Sequence, residues 1–440
     1  MRTHIAQQLG FGDGFIDPSL YELDEELKKV DGLLSQSKLL KPFEEVFDES
    51  MGRPGTPVGI YLRMMYLKFR WGLSYEEVER EVRERLPWRY FCHLSLMDAV
   101  PDSTTLIKLN QRFGEERMAK LNEELVRSLV RTRSIKSRRI RIDSTTLEAH
   151  ISYPNDVGVL HQAVKTLTRT AASLGNKITS HVRATKRSLF AWSQTARAKP
   201  KERKEKGRKI LKAVAKLAKH TVEQSRKVLQ ALARSRSEKS VKGREKFTQQ
   251  IELAERVLSQ TDEKLQGKKS IPERIVSFHD ACARAICKGK LNRPVEFGRT
   301  LQLVQDSSGV IVHYEVHGGN PNDKTQLLSL VRQTKKRLGV KPKELAADRG
   351  YYSAENVRKL KKTGIQRVGI PKVGRLTAKQ SRHQHSKWFR ALQRFRCGIE
   401  AGISMLKRKF SLGRVLARGS PGTAIWTGLA IFAYNLWQQR

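Results

Sequence analysis

Three acidic residues stand in settings where a carboxylate can do more than solvate a surface. Asp143 lies in "RSRRIRIDSTTLEAHI", on the opposite face of an alternating run from Ile140 and Ile142, and is followed by the small hydroxyls Ser144, Thr145 and Thr146. Asp348 ends the apolar run "ELAADRG", where a buried strand would meet a loop. Glu400 lies in "WFRALQRFRCGIEAGISMLKRKF", whose Phe389, Leu392, Phe395, Ile399, Ile403, Leu406 and Phe410 make a helical stripe. At about 100° per residue, Arg396, Glu400 and Lys407 fall within about 40° of one another beside that stripe. Three such carboxylates supply hard oxygen donors for two Mg²⁺ or Mn²⁺ ions. Phosphodiester cleavage uses such a pair, one ion preparing the attacking oxygen and the other stabilising the leaving oxygen. Arg396 and Lys407 would then contact the phosphate backbone and help keep the carboxylates ionised. The residues alone leave another reading open. Asp143 and Asp348 can be strand-end groups bonded to backbone amides, and Arg396 with Glu400 an exposed ion pair worth only about 0.2–0.5 kcal/mol.

The surrounding elements decide whether the three can meet. From about residue 17 to 132 the chain reads as helical, as in "LYELDEELKKVDGLL" and "GIYLRMMYLKFRWGLSYEEVEREVRERL". Gly and Pro mark the joins at "MGRPGTPVG" and "DAVPDSTTLIKLNQRFG", the latter with Asp102 or Ser103 as a cap. The strand bearing Asp143 opens a second fold, soon interrupted by a basic helical stretch over about 158–268. Its Leu211, Val214, Ala218, Val222, Leu229 and Leu232 keep an apolar stripe, so helical hairpins are expected rather than disorder. This stretch reads either as a solvated face or as an arm that contacts phosphates. Strand signals resume at "RIVSFHD", "VEFGRTLQLVQDSSGVIVHYEVHGG" and "ELAADRG", with "DSSG" as a hairpin turn. A helix closed by Gly339 precedes the strand ending on Asp348. A helix from Ser353 to about Lys362, the strand "IQRVGI" and the loop "PKVGRLTAKQSRHQHS" follow it. The expected architecture is α/β with a mixed sheet, in which Asp143 and Asp348 share one sheet edge if their strands are neighbours.

Composition narrows the partners. The 440 residues carry Lys+Arg 86 against Asp+Glu 44, a formal net charge of +42, which predicts attraction to a polyanion, nucleic acid first. No run of about eighteen apolar residues is present and the amino terminus lacks a signal-peptide core, so no membrane partner and a cytoplasmic location are expected. The four cysteines, Cys92, Cys282, Cys287 and Cys397, are too few and scattered for a disulfide framework. "HDACARAIC" places His279 near Cys282 and Cys287, but the spacing fits no zinc pattern and a second ligand pair is missing.

Taken together, "RIDSTTLEAHI", "AADRGYYSAENVRKL" and "FRCGIEAGISMLKRKFSLGRVLARG" resemble, in the expected order, the first Asp, second Asp and Glu-bearing helix of the DDE transposases of bacterial insertion sequences. The amino-terminal "GRPGTPVGIYLRMMYLKFRWGLSYEEVEREVRERLPWRYF" and "VPDSTTLIKLNQRF" are similar to the helical domain that precedes the core in such enzymes. The resemblance implies an RNase H-like catalytic core with metal-binding, catalytic carboxylates at Asp143, Asp348 and Glu400. It also implies two Mg²⁺ or Mn²⁺ ions, and double-stranded DNA partners in the form of terminal inverted repeats and target DNA. A homodimer or higher oligomer on DNA and association with the bacterial nucleoid follow in the same way. On this reading 1–132 is a helical DNA-binding domain, 133–157 the first part of the core, 158–268 a basic helical insertion, and 269–440 the rest of the core with C-terminal helices. Many members carry a Tyr-Arg-Glu-Lys signature on the last core helix; here Gln393 stands in place of Tyr, followed by Arg396, Glu400 and Lys407. The reaction implied is hydrolysis to 3′-hydroxyl ends that then attack target phosphates, without a covalent protein intermediate at Ser144 or Tyr351. The other classes left open are a non-catalytic, domesticated DNA-binding protein or regulator, and an RNase H-like nuclease that cuts without joining.

Overall fold

The computed structural model describes residues 14–47, 55–135, 138–232, 238–268, 270–287, 294–339 and 341–440. The join at residues 51–54 and the amino-terminal residues 1–13 lie outside them. The chain divides into two compact units, 1–148 with 300–440, and 149–299.

The first unit opens with six helices, α1 (Glu25–Leu34), α2 (Ser37–Glu44), α3 (Val58–Trp71), α4 (Tyr75–Glu84), α5 (Leu86–Phe91) and α6 (Ser103–Arg131). Side chains start several of them: Asp24 caps α1, Ser74 and Glu77 form a reciprocal capping box on α4, and Asp102 caps α6. Gly72, at φ 71°, ends α3 in the left-handed conformation that glycine reaches without strain. Helix α3 is buried on nearly all sides, and its Arg63 reaches the Asp31 carboxylate at 2.6 Å.

The sheet begins with β1 (Arg139–Ala149). After the second unit come β3 (Val295–Asp306), β4 (Ile311–His317), α11 (Asp323–Leu338), β5 (Glu344–Ala347), α12 (Ala354–Lys362), β6 (Arg367–Gly369), α13 (Ala378–His385), α14 (Lys387–Lys409), β7 (Arg414–Val415) and α15 (Gly419–Trp437). Strand β3 pairs antiparallel with β4 and lies beside β1, which pairs parallel with β5, itself parallel to β6; β7 also pairs with β1. The β3–β4 turn is built as its sequence suggests: the Asp306 carboxylate accepts from the amides of Ser308 and Val310 and Gly309 takes φ 85°. The result is a mixed α/β unit with a mixed sheet.

The second unit holds α7 (Asp156–Ser173), α8 (Val182–Gln194), α9 (Pro200–Leu232), α10 (Glu238–Leu265) and the short β2 (Arg284–Cys287), antiparallel to the start of β3. Its core joins Val157, Leu160 and Val164 of α7 to Leu211, Val214 and Val222 of α9 and Phe247, Ile251 and Val257 of α10. Asp280 and Arg299 form a buried bidentate pair at 2.6 and 2.9 Å.

Two sequence expectations are corrected here. "RIVSFHD" is not a strand: the Gln260 side chain bonds both the amide and the carbonyl of Ile275, taking the place of a neighbouring strand, while Ile275 and Phe278 join the helical core. "PKVGRLTAKQSRHQHS" is not all loop, because Thr377 and Gln380 form a capping box that starts α13.

Candidate active site

The parallel pairing of β1 with β5 ends on Ile142 opposite Ala347. One residue further stand Asp143, midway along β1, and Asp348, just past the end of β5, so the register sets the two carboxylates side by side where the β1–β5 pairing ends. Each accepts the next backbone amide, Ser144 at 2.8 Å and Arg349 at 2.7 Å. Asp348 thereby starts a single 3₁₀ turn, Arg349–Tyr351, and stays exposed.

Helix α14 brings the third carboxylate. Its Phe389, Leu392, Ile399 and Leu406 are buried, which turns the neighbouring polar positions along the edge of the packed face. Arg396 stands between two acids, 3.0 Å from Glu400 Oε1 and 3.8 Å from Asp143 Oδ2. Burial pushes the Asp143 carboxyl up to about 6; the Ser144 amide and Arg396 pull it back, and the charges of Asp348 and Glu400 push it further up. Asp348 and Glu400 therefore both lie within electrostatic reach of Asp143. Lys407, half-buried, sits about 10 Å further along the helix axis.

Sequence reasoning missed the groups that set this arrangement. Arg141, two residues before Asp143 and so on the same face of β1, donates to the Phe395 carbonyl of α14 at 2.8 Å and to Gln305 of β3, also at 2.8 Å. Its guanidinium lies over the Phe395 ring, 4.9 Å from the centroid, and fills a notch at Gly398, where a Cβ would collide with it. A Cβ at Gly402 would meet the Gln305 amide at 2.7 Å. Read along the strand, Arg141 is simply one of the polar residues of an alternating run, and only the partner helix reveals its role. Gln393 donates to the Gly369 carbonyl at the end of β6 at 2.6 Å. Beneath Asp143 and Asp348, Tyr351 is 1% exposed; burial holds its phenol protonated, reinforced by Asp323, Asp143 and Asp348. Asp323, the first residue of α11, accepts from Gln302 at 3.0 Å, and was legible only as part of a helix start.

Residues 18–112 match the family described as Transposase domain (DUF772), and residues 276–436 match the Transposase DDE domain. The chain belongs to the insertion-sequence DDE transposases. A Rhizobium meliloti relative described as "Uncharacterized protein ORF8 in nfe locus" is 26% identical over 166 residues, 36% of this chain and 80% of the relative. No solved structure matches. Transposases of this family act on DNA and use divalent metal ions, and the second match spans both Asp348 and Glu400. The donor chemistry of this transposase fits such ions: all three groups offer hard oxygens, and a cation would relieve the charges of Asp348 and Glu400 that add to the effect of burial on Asp143. Among the described residues no three His, Cys, Asp or Glu side chains are gathered as a ligand set; Arg396 stands between Asp143 and Glu400. No helix among the described residues is long and apolar enough to cross a membrane.

Proposed function

We propose that this transposase binds the terminal repeats of its element and hydrolyses DNA there to 3′-hydroxyl ends. The same site then joins those ends to target DNA. The observation that carries the reading is the β1–β5 register, which sets Asp143 beside Asp348 and leaves Glu400 within reach across Arg396. The strand order, with an antiparallel hairpin on one side and parallel strands on the other, supports an RNase H-like core interrupted by residues 149–299. Asp143, Asp348 and Glu400 would hold two Mg²⁺ or Mn²⁺ ions. Such ions, when bound, supply Lewis acidity at the scissile phosphate and lower the pKa of a nucleophilic water. Arg396, drawn between two carboxylates, is placed to turn to a phosphate once they are otherwise neutralised, and Lys407 extends the same edge. Two DNA ends must be brought together, which a homodimer or higher oligomer on DNA achieves.

The test is a cleavage and joining assay with Mg²⁺ or Mn²⁺ on DNA carrying the ends that flank this reading frame. Wild type yields metal-dependent 3′-hydroxyl ends joined to target, whereas Asp143→Ala and Glu400→Gln bind the ends and leave them intact. Cleavage by either variant would falsify the site. Sequence-selective binding by all three proteins with no cutting would instead support a non-catalytic DNA-binding protein.

A further inference from the structure

The second unit carries its positive charge unevenly. From Val157 to Lys201 there is no Asp or Glu, while Lys165, Arg169, Lys177, Arg183, Lys186, Arg187, Arg197, Lys199 and Lys201 all fall within the stretch. Helix α10 balances its charge, and part of the strongly basic α9 is paired: Lys206 with Glu202 on α9 and Arg226 of α9 with Glu255 of α10 at 2.5 Å, while Lys264 of α10 pairs with Asp156. On α8, by contrast, the side chains of Arg183, Lys186 and Arg187 are exposed and have no carboxylate partner among the described residues.

Helix α8 is held by its other face. Thr185 is fully buried and its hydroxyl meets His161 Nδ1 at 2.8 Å; Leu189 and Trp192 pack against the helical core, with Trp192 filling the space above Gly207. His181 bonds His220 at 2.8 Å at the start of the helix. The outward face then presents Arg183, Lys186, Arg187 and Phe190, at steps of three and four residues. Phe190 is 68% exposed, a large apolar ring at the end of an all-cationic row. An exposed aromatic has no reason to be kept among cations for solubility, but the pairing matches a polyanion whose bases offer flat faces.

We infer that the outward face of α8 is a DNA-contacting surface, with Arg183, Lys186 and Arg187 taking successive phosphates and Phe190 stacking on, or wedging beside, an unstacked base. A second copy of this chain fits poorly, since its formal net charge of +42 opposes this face. The inference rests on the proposed function only in taking DNA as the ligand. It places the contact on α8, where an exposed aromatic joins the cations, and not on α9, which is basic but holds no Phe, Tyr or Trp, or on the charge-balanced α10; it uses none of the carboxylate chemistry.

The test uses full-length protein and DNA carrying the element ends, with 2-aminopurine placed at successive positions to report unstacking. Arg183→Gln, Lys186→Gln and Arg187→Gln together reduce the slope of log affinity against log salt by roughly 2–3, as loss of three phosphate contacts requires. Phe190→Ala leaves that slope unchanged, lowers affinity roughly 5- to 100-fold and removes a wild-type fluorescence rise, and Phe190→Trp restores both. All these side chains are exposed, so thermal melting should match wild type and excludes misfolding as the cause. Wild-type salt slopes and fluorescence in every variant overturn the assignment while leaving the carboxylate site untouched. Loss of self-association without loss of DNA affinity also overturns it, making α8 a chain-to-chain surface. A wild-type protein that binds no DNA overturns the inference and the proposed function together, whereas a wild type that cleaves while the α8 variants bind normally sinks the inference alone.

Discussion

Helices α14 and α15 follow one another in the chain and belong to the same unit, yet they are held by opposite means. Helix α15 is apolar nearly throughout, buried from Trp426 to Trp437, and packs on α6 and α3. Its polar ties are few and specific: Asn435 bonds the amide and carbonyl of Ile311 at 2.8 and 2.9 Å, and the Trp426 indole donates to the Ser411 carbonyl at 2.9 Å. Helix α14 buries only one stripe, and its approach to the sheet is set by Arg141, Gln305 and Gln393 meeting backbone and glycine notches. Apolar burial is strong but non-directional, whereas a guanidinium between a strand and a carbonyl fixes one register. A helix that only completes a core can rely on the first. A helix that must hold a carboxylate within reach of another needs the second.

The largest effect should come from α15. Phe432→Ala empties a site that is 1% exposed and should cost about 3–5 kcal/mol, read as a lower midpoint of urea unfolding. Cleavage per folded molecule should stay at the wild-type level. A loss of activity exceeding the loss of folded protein would erase the distinction between the two helices.

Gly398→Ala probes the other kind of support. The new methyl meets the Arg141 guanidinium, so α14 must shift away from β1, and a displacement of about 1 Å at a reacting centre costs on the order of 100-fold in rate. Stability should move little, because the gain of about 1 kcal/mol from replacing a helix-interior glycine offsets part of an overpacking cost of about 1–3 kcal/mol. Normal cleavage by Gly398→Ala would show that the notch only fills space.

Parts of this arrangement were legible in the sequence. Alternation exposed β1 and placed Asp143 across from Ile140 and Ile142; the β3–β4 hairpin announced itself through "DSSG"; and helical spacing put Arg396 and Glu400 on one edge of α14. The adjacency of Asp143 and Asp348 was legible only conditionally, because parallel strands some two hundred residues apart carry no local mark of pairing. "RIVSFHD" misled because an extended apolar segment looks alike whether a strand or a glutamine side chain satisfies its backbone. Helix α13 lacks a buried side, so apolar periodicity could not find it, although its Thr377 and Gln380 box was there to be read. Arg141 and Asp323 gave no signal because their partners lie on elements distant in sequence.

Asp306 ends β3 at the turn into β4, close to Arg141 of the α14 support and Tyr434 of α15, and offers a pH readout. Its carboxyl is fully buried, with Oδ2 lacking a hydrogen-bond partner. Burial pushes it up to about 6 from the ordinary 3.8, against the pull of the Val310 and Ser308 amides and Arg141. The folded chain then binds more protons than the unfolded chain within that window. Its contribution to stability is therefore greatest in acid and falls as pH rises from 3.8 to 6, by on the order of 2 kcal/mol. Urea unfolding across this range should show that component in wild type and lack it in Asp306→Asn. An identical pH profile in both would mean that the carboxyl is already ionised in acid.

The smallest effect sharpens the comparison most. By its resemblance to the family's Tyr-Arg-Glu-Lys signature, Gln393 falls where many members carry Tyr, which would suggest a contact with DNA ends, but its amide donates inward to the Gly369 carbonyl. Leu392 beside it already lies so close that a Cβ at Gly369 would meet it at 2.8 Å, so the end of β6 is held against α14 by an apolar contact and a hydrogen bond together. Gln393→Leu keeps the volume and removes only the bond, at a cost of about 1 kcal/mol. If the residue serves the helix–sheet contact, unfolding should shift by that amount, cleavage should fall less than tenfold, and affinity for the element ends should not change. If it faces DNA, affinity for those ends should fall while unfolding stays put. The second outcome would leave α14 with Arg141 and Gln305 as its directional supports, and would make the substitution of Tyr by Gln a change in DNA recognition and not in packing.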